Sequence, residues 1–488
     1  MPPKKRIGDM MIEQGLITQE QLEIGIQEQR KSGELLGSVL FSLGFISQKD
    51  LFKLLTISSA NQEESEQDKY NADIPQEIEN LVKQSSSLFQ REGSIGKKEL
   101  DSAYSPLVNL VEKIIIDGIQ RSATDIHINP DAKGVRIRYR VDGVLQHSMF
   151  LPNELLNPIV SRFKVMGQMN IAESRIPQDG GAEFAYKNRK LDLRISTFPI
   201  IGGENVVIRV LDKSKLRIGL ENLGFFDEDI EKLNASIQLP FGMILVTGPT
   251  GSGKTTTLYS CLSIINTVSR NIFTLEDPVE YQLPMARQSQ INVKAGLTFA
   301  TGLRSILRQD PDVILVGEMR DAETAELAIR ASLTGHLVFS TIHTNDAISS
   351  IARIMDIGID PFLISTTIDS IVAQRLVRSL CEECKEAVPP FSPQYAKLGI
   401  DPAVSRLYRP KGCPACDGSG FKGRSVIYEI LKISPKIREL INIKASLEDV
   451  RRQAISEGFR EMHEIALKKV RMGITTLDEV SHATRMSF

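Results

Sequence analysis

The sequence predicts an α/β fold centred on a mostly parallel sheet with helices on both faces. Three observations carry that prediction. The stretch Gly248-Pro249-Thr250-Gly251-Ser252-Gly253-Lys254-Thr255 fits G-x-x-x-x-G-K-[ST], and it lies between the apolar run Met243–Val246 and a helix-forming segment that starts at Thr256. Four short apolar runs, Met243–Val246, Ile272–Leu275, Val313–Val316 and Leu337–Ser340, recur with a strand-helix rhythm between Leu223 and Gln374. Each run ends in polar residues, as carboxyl-end sites of parallel strands require.

From the N-terminus, residues 6–58 contain a repeat with a period of 29. Arg6, Gly8, Gly15, Leu22, Ile26 and Gln29 recur as Leu35, Gly37, Gly44, Leu51, Leu55 and Ser58. Each unit reads as a short helix, a glycine turn and a capped helix, with Thr18 and Gln21 forming a capping-box pair. A helical packing repeat and a docking or ligand-binding module are both compatible with this spacing. Residues 61–100 are polar and read as a linker, with one short helix around Gln76–Lys83.

An amphipathic helix is expected at Pro106–Ile119, followed by a strand-rich domain in which Val135, Ile137, Tyr139 and Val141 alternate with Arg136, Arg138 and Arg140. Asp142-Gly143 supplies a turn, and a helix is expected near Glu154–Met169. Two further strands carry Arg194 and Arg209. Most arginines on such strands belong to solvated faces.

In the glycine stretch, backbone N–H groups converge on phosphate and the helix N-terminus adds positive potential. Pro249, Thr250, Ser252 and Thr256 belong to the cradle, Lys254 reaches the β/γ-phosphates, and Thr255 offers its hydroxyl to Mg²⁺. Val313–Val316 runs into Gly317-Glu318, an apolar strand ending in an acid; Glu318 is the candidate for the Mg²⁺–water shell and for the catalytic base. Asp277 and Glu280 flank Pro278 after the preceding strand and are placed to orient water, metal or an arginine. His336 and His343 bracket the fourth run, with His343 the expected polar sensor near the γ-phosphate or the subunit boundary and His336 equally compatible with a structural role, cementing a loop.

Cys381-x-x-Cys384 and Cys413-x-x-Cys416 form two knuckles whose spacing suits tetrahedral Zn²⁺ better than redox chemistry, which needs one pair. The remaining cysteine, Cys261, reads as a small core residue. The tail is expected to be helical at Pro435–Ile441, Leu447–Ala454 and Met462–Val470, with a last helix begun by Thr476 and Glu479.

Composition narrows the function. The 488 residues carry 59 Lys+Arg against 61 Asp+Glu, a net charge of −2, so no global basicity points to nucleic acid. The acidic surroundings of the cysteines, at Glu382 and Glu383, argue the same way. No apolar stretch follows Lys4-Lys5-Arg6, so no secretory leader is expected, and no apolar run is long enough for a transmembrane helix.

These boxes together resemble a known family. Gly248–Thr255, Thr274–Glu280, Leu307–Asp312 with Gly317–Asp321, and Gly335–His343 look like the Walker A, Asp box, Walker B and His box of the secretion ATPases. The cysteine pairs ahead of Gly420–Arg424 resemble, within them, the assembly ATPases of type II secretion (GspE) and of type IV pili (PilB). The resemblance implies a RecA-like P-loop NTPase core preceded by a PAS-like α/β domain and a helical N-terminal repeat module, and followed by a tetracysteine zinc subdomain and a C-terminal helical subdomain. The implied boundaries are a docking module at 1–60, a linker at 61–100, the PAS-like domain at 101–218, the ATPase domain at 219–378, the zinc subdomain at 379–428 and the helical tail at 429–488.

It further implies a homo-hexamer that hydrolyses ATP at the cytoplasmic face of the inner membrane, attached only peripherally. Its partners would be a membrane platform protein and, in type II secretion, a bitopic inner-membrane anchor. Glu318 takes the Walker B place, Glu280 the Asp-box place, and His336 and His343 the His-box places. Arg194 and Arg209 match arginines that swing from the N-terminal domain onto the phosphates. The N-terminal repeat is similar to modules that bind cyclic di-GMP in some pilus ATPases. Its second copy departs at Leu35 and Ser58, which favours docking onto an inner-membrane partner.

Overall fold

The computed structural model describes residues 12, 17–32, 39–40, 43–46, 76–89, 97–132, 134–212, 219–389, 392–393, 395, 401, 403 and 406–484. Most of the second repeat copy, including Leu35, Gly37, Leu51, Leu55 and Ser58, lies outside the described residues, as do Arg6, Gly8 and Gly15. The acidic start of the linker is outside them too. The chain divides into two compact units, Met1–Ala182 with Arg194–Arg209, and Glu183–Leu193 with Val210–Phe488.

In the first unit, helix α1 (Gln19–Ser32) opens on the expected capping box: Gln21 N donates to Thr18 Oγ1 at 3.3 Å, and Thr18 N donates to Gln21 Oε1 at 2.9 Å. Ile17, Leu22, Leu40 and Ile46 bury a small core beside it. Helix α2 (Gln76–Phe89) and helix α3 (Lys97–Gln120) follow. Both are longer than the apolar pattern suggested, and α3 runs through Pro106.

Strands β1 (Asp125–Asp131), β2 (Gly134–Val141), β3 (Val144–Leu151), β4 (Gln178–Tyr186), β5 (Arg189–Ile200) and β6 (Gly203–Asp212) form a sheet ordered β3-β2-β1-β6-β5-β4. Helix α4 (Leu156–Met166) intervenes after β3. Alternation explains the sheet. Ile126, Ile128, Ile137 and Tyr139 are buried, and the Tyr139 hydroxyl donates to the Ile114 carbonyl of α3 at 2.9 Å. The intervening arginines pair locally, Arg136 with Asp131 at 2.7 Å and Arg138 with Asn129 at 2.9 Å.

Besides Glu183–Leu193 and the end of β6, the second unit holds a one-turn helix at Leu220–Leu223, then α5 (Asp227–Ile237) and β7 (Gly242–Thr247), and continues through α6 (Lys254–Ile265), β8 (Ile272–Glu276) and β9 (Arg287–Gln290) to α7 (Phe299–Ile306) and β10 (Val313–Val316). Next come α8 (Ala322–Leu333), β11 (Leu337–Ile342), α9 (Ala347–Asp356), α10 (Pro361–Thr367) and β12 (Ile368–Leu380). Short β13 (Glu386–Ala387) and β14 (Tyr408–Arg409) precede β15 (Phe421–Lys432), and α11 (Pro435–Asn442), α12 (Leu447–Ser456), α13 (Met462–Arg471) and α14 (Leu477–Thr484) close the chain.

Its seven-stranded sheet is ordered β15-β12-β7-β11-β10-β8-β9. All neighbours are parallel except β15, which pairs antiparallel with β12. The central strands β7, β10 and β11 are buried on both sides because both faces are covered. Met243 and Leu245 join one core with Ile314, Val338 and Ile348, whereas Ile244 and Val246 join another with Leu258 and Leu262 of α6. Each such burial stabilises the fold by about 1.5–3 kcal/mol.

The four central strands stand where the apolar runs put them, and the four tail helices where the periodicity put them. Besides edge strand β9, two strands of this sheet were not read from the sequence, β12 and β15. The second falls across the expected zinc subdomain and the tail, yet it completes the nucleotide sheet. Among the described residues no helix is long and apolar enough to cross a membrane.

Candidate active site and tetracysteine centre

Parallel register brings the carboxyl ends of four strands together. Thr247 of β7 stands beside Ile342 of β11, and Val316 of β10 lies between Ser340 of β11 and Leu275 of β8. The glycine loop therefore emerges next to Glu318 and His343. Thr247 Oγ1 donates to the Ile342 carbonyl at 2.8 Å and accepts from Thr344 N at 2.9 Å, locking the two strand exits. Thr341 Oγ1 donates to the Gly317 carbonyl at 2.7 Å, which does the same for β10 and β11.

The loop itself needs glycine. Gly248 has φ +146°, and a Cβ there would sit 2.4 Å from the Gln374 carbonyl oxygen. Gly253, also at positive φ, is the N-cap of α6. Lys254 Nζ donates to the Gly248 and Pro249 carbonyls at 2.8 and 3.1 Å, so it folds over its own loop. Burial holds its pKa below the ordinary lysine range, and the Glu318 carboxylate opposes that shift. Thr255 is exposed at the loop mouth. Among the described residues the buried Ser252 hydroxyl has no hydrogen-bond partner. A cradle closed to Cβ atoms, an ammonium over it and an unmet hydroxyl beneath it fit a phosphate chain.

Glu318 is 12% exposed, and one of its oxygens lies 2.7 Å from Arg320 Nε and 3.4 Å from His343 Nε2. A largely buried carboxylate beside the loop lysine, with a half-exposed imidazole against it, can accept a proton from water and share it.

His336 goes elsewhere. It precedes β11 and so stands at the amino end of the sheet, where its Nδ1 donates to the Ala331 carbonyl at 2.8 Å. Within this chain the fold does not bring it to the glycine loop. Asp277 is exposed and Glu280 half-buried in the loop after β8. Arg194 and Arg209 belong to the first unit, where they line a cavity of about 520 Å³ with Asp125 and Asp179; Arg209 Nε pairs with Asp125 at 3.1 Å.

Sequence reasoning missed a buried polar cluster next to the loop helix. Glu276, at the end of β8, accepts from Thr274 Oγ1 at 2.6 Å, from Gln288 Nε2 at 3.1 Å and from the Tyr259 hydroxyl of α6. Its signal was legible, since a strand-end acid follows Ile272–Leu275 just as Glu318 follows Val316. It also missed Gln374 of β12, which has no exposed surface and bonds Ser252 and Thr257. A glutamine ending the apolar run Ile371–Ala373 was the available sign.

The four cysteine sulfurs converge. Sγ–Sγ distances are 3.9 Å for Cys381–Cys413, 3.8 Å for Cys384–Cys416 and 3.7 Å for Cys413–Cys416, and all four lie within 4.8 Å of one another. A tetrahedron with Zn–S of about 2.3 Å has edges of roughly 3.8 Å, so the donor set fits zinc. Cys416 Sγ accepts from Cys413 N and Gly420 N, each at 3.2 Å, as a thiolate ligand would. Gly412, at φ +97°, permits the turn; a Cβ would meet the Gly418 carbonyl oxygen at 2.4 Å.

A glycine loop at the carboxyl end of a central parallel strand, backed by a strand-end glutamate, defines a P-loop ATPase of RecA-related α/β fold. The comparisons with known proteins narrow the class. The model of the "Type II/IV secretion system protein" family matches residues 100–482. The type II secretion system protein E of Pseudomonas aeruginosa is 46% identical over 382 residues, covering 78% of this chain and 76% of that protein. The type IV pilus assembly ATPase PilB of Myxococcus xanthus is 44% identical over 381 residues, covering 77% and 67%. Among solved structures, the pilus retraction motor PilT with bound ADP superposes with a TM-score of 0.52 at 29% identity, over 76% of this chain and 95% of that one. The chain belongs to the type II/IV secretion system protein family and is an ATP-hydrolysing ATPase of the type II secretion protein E and PilB kind.

Proposed function

We propose that this ATPase powers pseudopilus assembly in type II protein secretion. The observation that carries the catalytic part is the Lys254–Glu318–His343 arrangement at adjoining strand ends. The relatives named for type II secretion carry the physiological part, at 46% identity for the Pseudomonas protein.

ATP lies along Gly248–Thr256, with loop amides and the Lys254 ammonium on its phosphates. Lys254 leaves the Gly248 and Pro249 carbonyls to reach them. Magnesium, held by Thr255 and by Glu318 directly or through water, would neutralise charge on the β- and γ-phosphates. Glu318 accepts the proton of the attacking water, the γ-phosphorus to bridging-oxygen bond breaks, and ADP and phosphate leave. Half-exposed His343 senses the γ-position, and Glu280 orients water or an arginine. Arg194 and Arg209 are the arginines that the family resemblance assigns to the phosphate charge. His336 serves the same fold as a loop anchor or reaches a neighbouring subunit.

The reading extends to the assembly: a homo-hexamer at the cytoplasmic face of the inner membrane, attached peripherally. Its domains are a docking module at 1–60, a linker at 61–100, a PAS-like domain at 101–218, the ATPase domain at 219–378, a zinc subdomain at 379–428 and a helical tail at 429–488. The docking module engages a bitopic anchor, while the ring drives a membrane platform protein. Pilus assembly is the second reading, favoured by the 44% identity to PilB, and cyclic di-GMP binding by the repeat would accompany it. Affinity purification of the full chain from its own membranes separates the two. Co-purification of a bitopic secretion anchor supports the first reading, and recovery of pilus components alone overturns it.

A further inference from the structure

We propose that Gln374 is a positioning residue that shapes the glycine loop for phosphate; the inference rests on the reading of that loop as the ATP site. Strand β12 runs beside β7 with Ala373 opposite Thr247, so the next residue, Gln374, arrives under the loop as it leaves the sheet. Its side chain has no exposed surface. One end of the amide, Nε2, donates to the Ser252 carbonyl at 2.8 Å, and the other, Oε1, accepts from Thr257 Oγ1 at 2.8 Å. The two partners flank Lys254 and Thr255, the residues that carry the loop's chemistry. A buried amide that bonds the loop at Ser252 and the first turn of α6 at Thr257 fixes the loop against its helix, because any other orientation leaves polar groups unpaired.

The contact is close as well as polar. A Cβ on Gly248 would stand 2.4 Å from the Gln374 carbonyl oxygen, and one on Gly253 would stand 3.2 Å from Nε2. The first contact is with the backbone of residue 374, which any side chain there would leave in place; the second is with the amide itself. Without the amide, the Ser252 carbonyl has no donor, and the Thr257 hydroxyl can turn back to the carbonyl of Gly253, four residues earlier. Either change swings the peptide units around Lys254 away from the orientation that faces phosphate.

The test is ADP affinity by titration calorimetry on the full chain with magnesium, together with steady-state ATP hydrolysis. Gln374→Leu removes both hydrogen bonds at similar volume and is expected to weaken ADP binding about tenfold, with KM for ATP rising more than kcat falls. Gln374→Glu keeps the acceptor for Thr257 but sets a carboxylate against the Ser252 carbonyl. Protonation restores a donor, so its ADP affinity, taken relative to wild type, is expected to recover as pH falls from about 8.5 to about 6. A merely structural glutamine would give no such recovery. Thr257→Val removes one of the two bonds from the loop side and is expected to weaken ADP about threefold, which keeps the test open should the leucine variant not fold. ADP affinity within twofold of wild type in the leucine variant, an unchanged Thr257→Val, or a Gln374→Glu deficit that is the same at every pH each overturns the role. A wild-type chain that binds no ADP overturns the ATP-site reading and this inference with it.

Discussion

The two ends of strand β11 carry the same residue type to different effect. At the carboxyl end, His343 stands half-exposed and 3.4 Å from a carboxylate that lies beside the loop lysine. At the amino end, His336 spends its Nδ1–H on the Ala331 carbonyl. The neighbours follow suit: Asn271 N donates to Asp312 at 2.7 Å, and Asn271 Nδ2 donates to the Gln309 and Asp310 carbonyls at 3.0 and 2.7 Å. These N–H groups at the amino end are thus spent on neighbouring carbonyls and a carboxylate. Polar groups at the carboxyl end hold contacts that a ligand can replace. In a parallel sheet every strand exits on one side, so the loops that leave several strands meet there at once.

The largest way to break this comparison is at the glycine loop. Lys254→Ala and Glu318→Gln are expected to lower kcat about 100- to 1,000-fold, measured as phosphate release, with the circular dichroism of a folded chain retained. Full activity in both would mean that the carboxyl end is not the hydrolytic end.

The tetracysteine centre comes next. Cys413→Ser combined with Cys416→Ser is expected to reduce zinc from about one per chain to none by elemental analysis, and to lower Tm by about 10 °C. Retention of stoichiometric zinc would place the metal elsewhere.

The histidine pair sharpens the contrast directly. His343→Ala should lower kcat about 10- to 100-fold, whereas His336→Ala should stay within about threefold and lose about 1 kcal/mol of stability instead. Equal kinetic losses would show that the amino end reaches a phosphate, for which a neighbouring subunit is the route.

The smallest effect is a stability term. Glu429 of β15 is buried and accepts from Ala347 N at 2.6 Å and Met462 N at 3.0 Å, so one carboxylate meets the first N–H groups of α9 and α13. Burial raises its pKa to about 7 despite those two bonds. A folded pKa above the unfolded one means that the native state holds the proton more tightly. The corresponding stability is therefore fully present below about pH 4.5 and lost as pH rises to about 7. Relative to Glu429→Gln, the wild-type unfolding free energy should fall across that window by no more than about 3 kcal/mol, and then level off. A flat difference in urea titrations at stepped pH would exclude the linkage.

The sequence by itself determined the central strands, the glycine loop, the cysteine pairs and the tail helices. Local physics writes these: strands buried on both faces must be apolar throughout, a phosphate loop must lack Cβ atoms, and a metal needs its ligands at fixed spacing. Val313–Val316 followed by Glu318 was readable for that reason. Only the tertiary structure decided which polar residues meet. Gln374 lies over 100 residues beyond the loop it holds, and Glu276 gains its three donors from Tyr259, Thr274 and Gln288 only when β8, β9 and α6 pack together. The two histidines, alike on paper, were separated by the direction of one strand. Chain direction through a sheet and contact across it are properties of the folded whole, and no local pattern of residues encodes them.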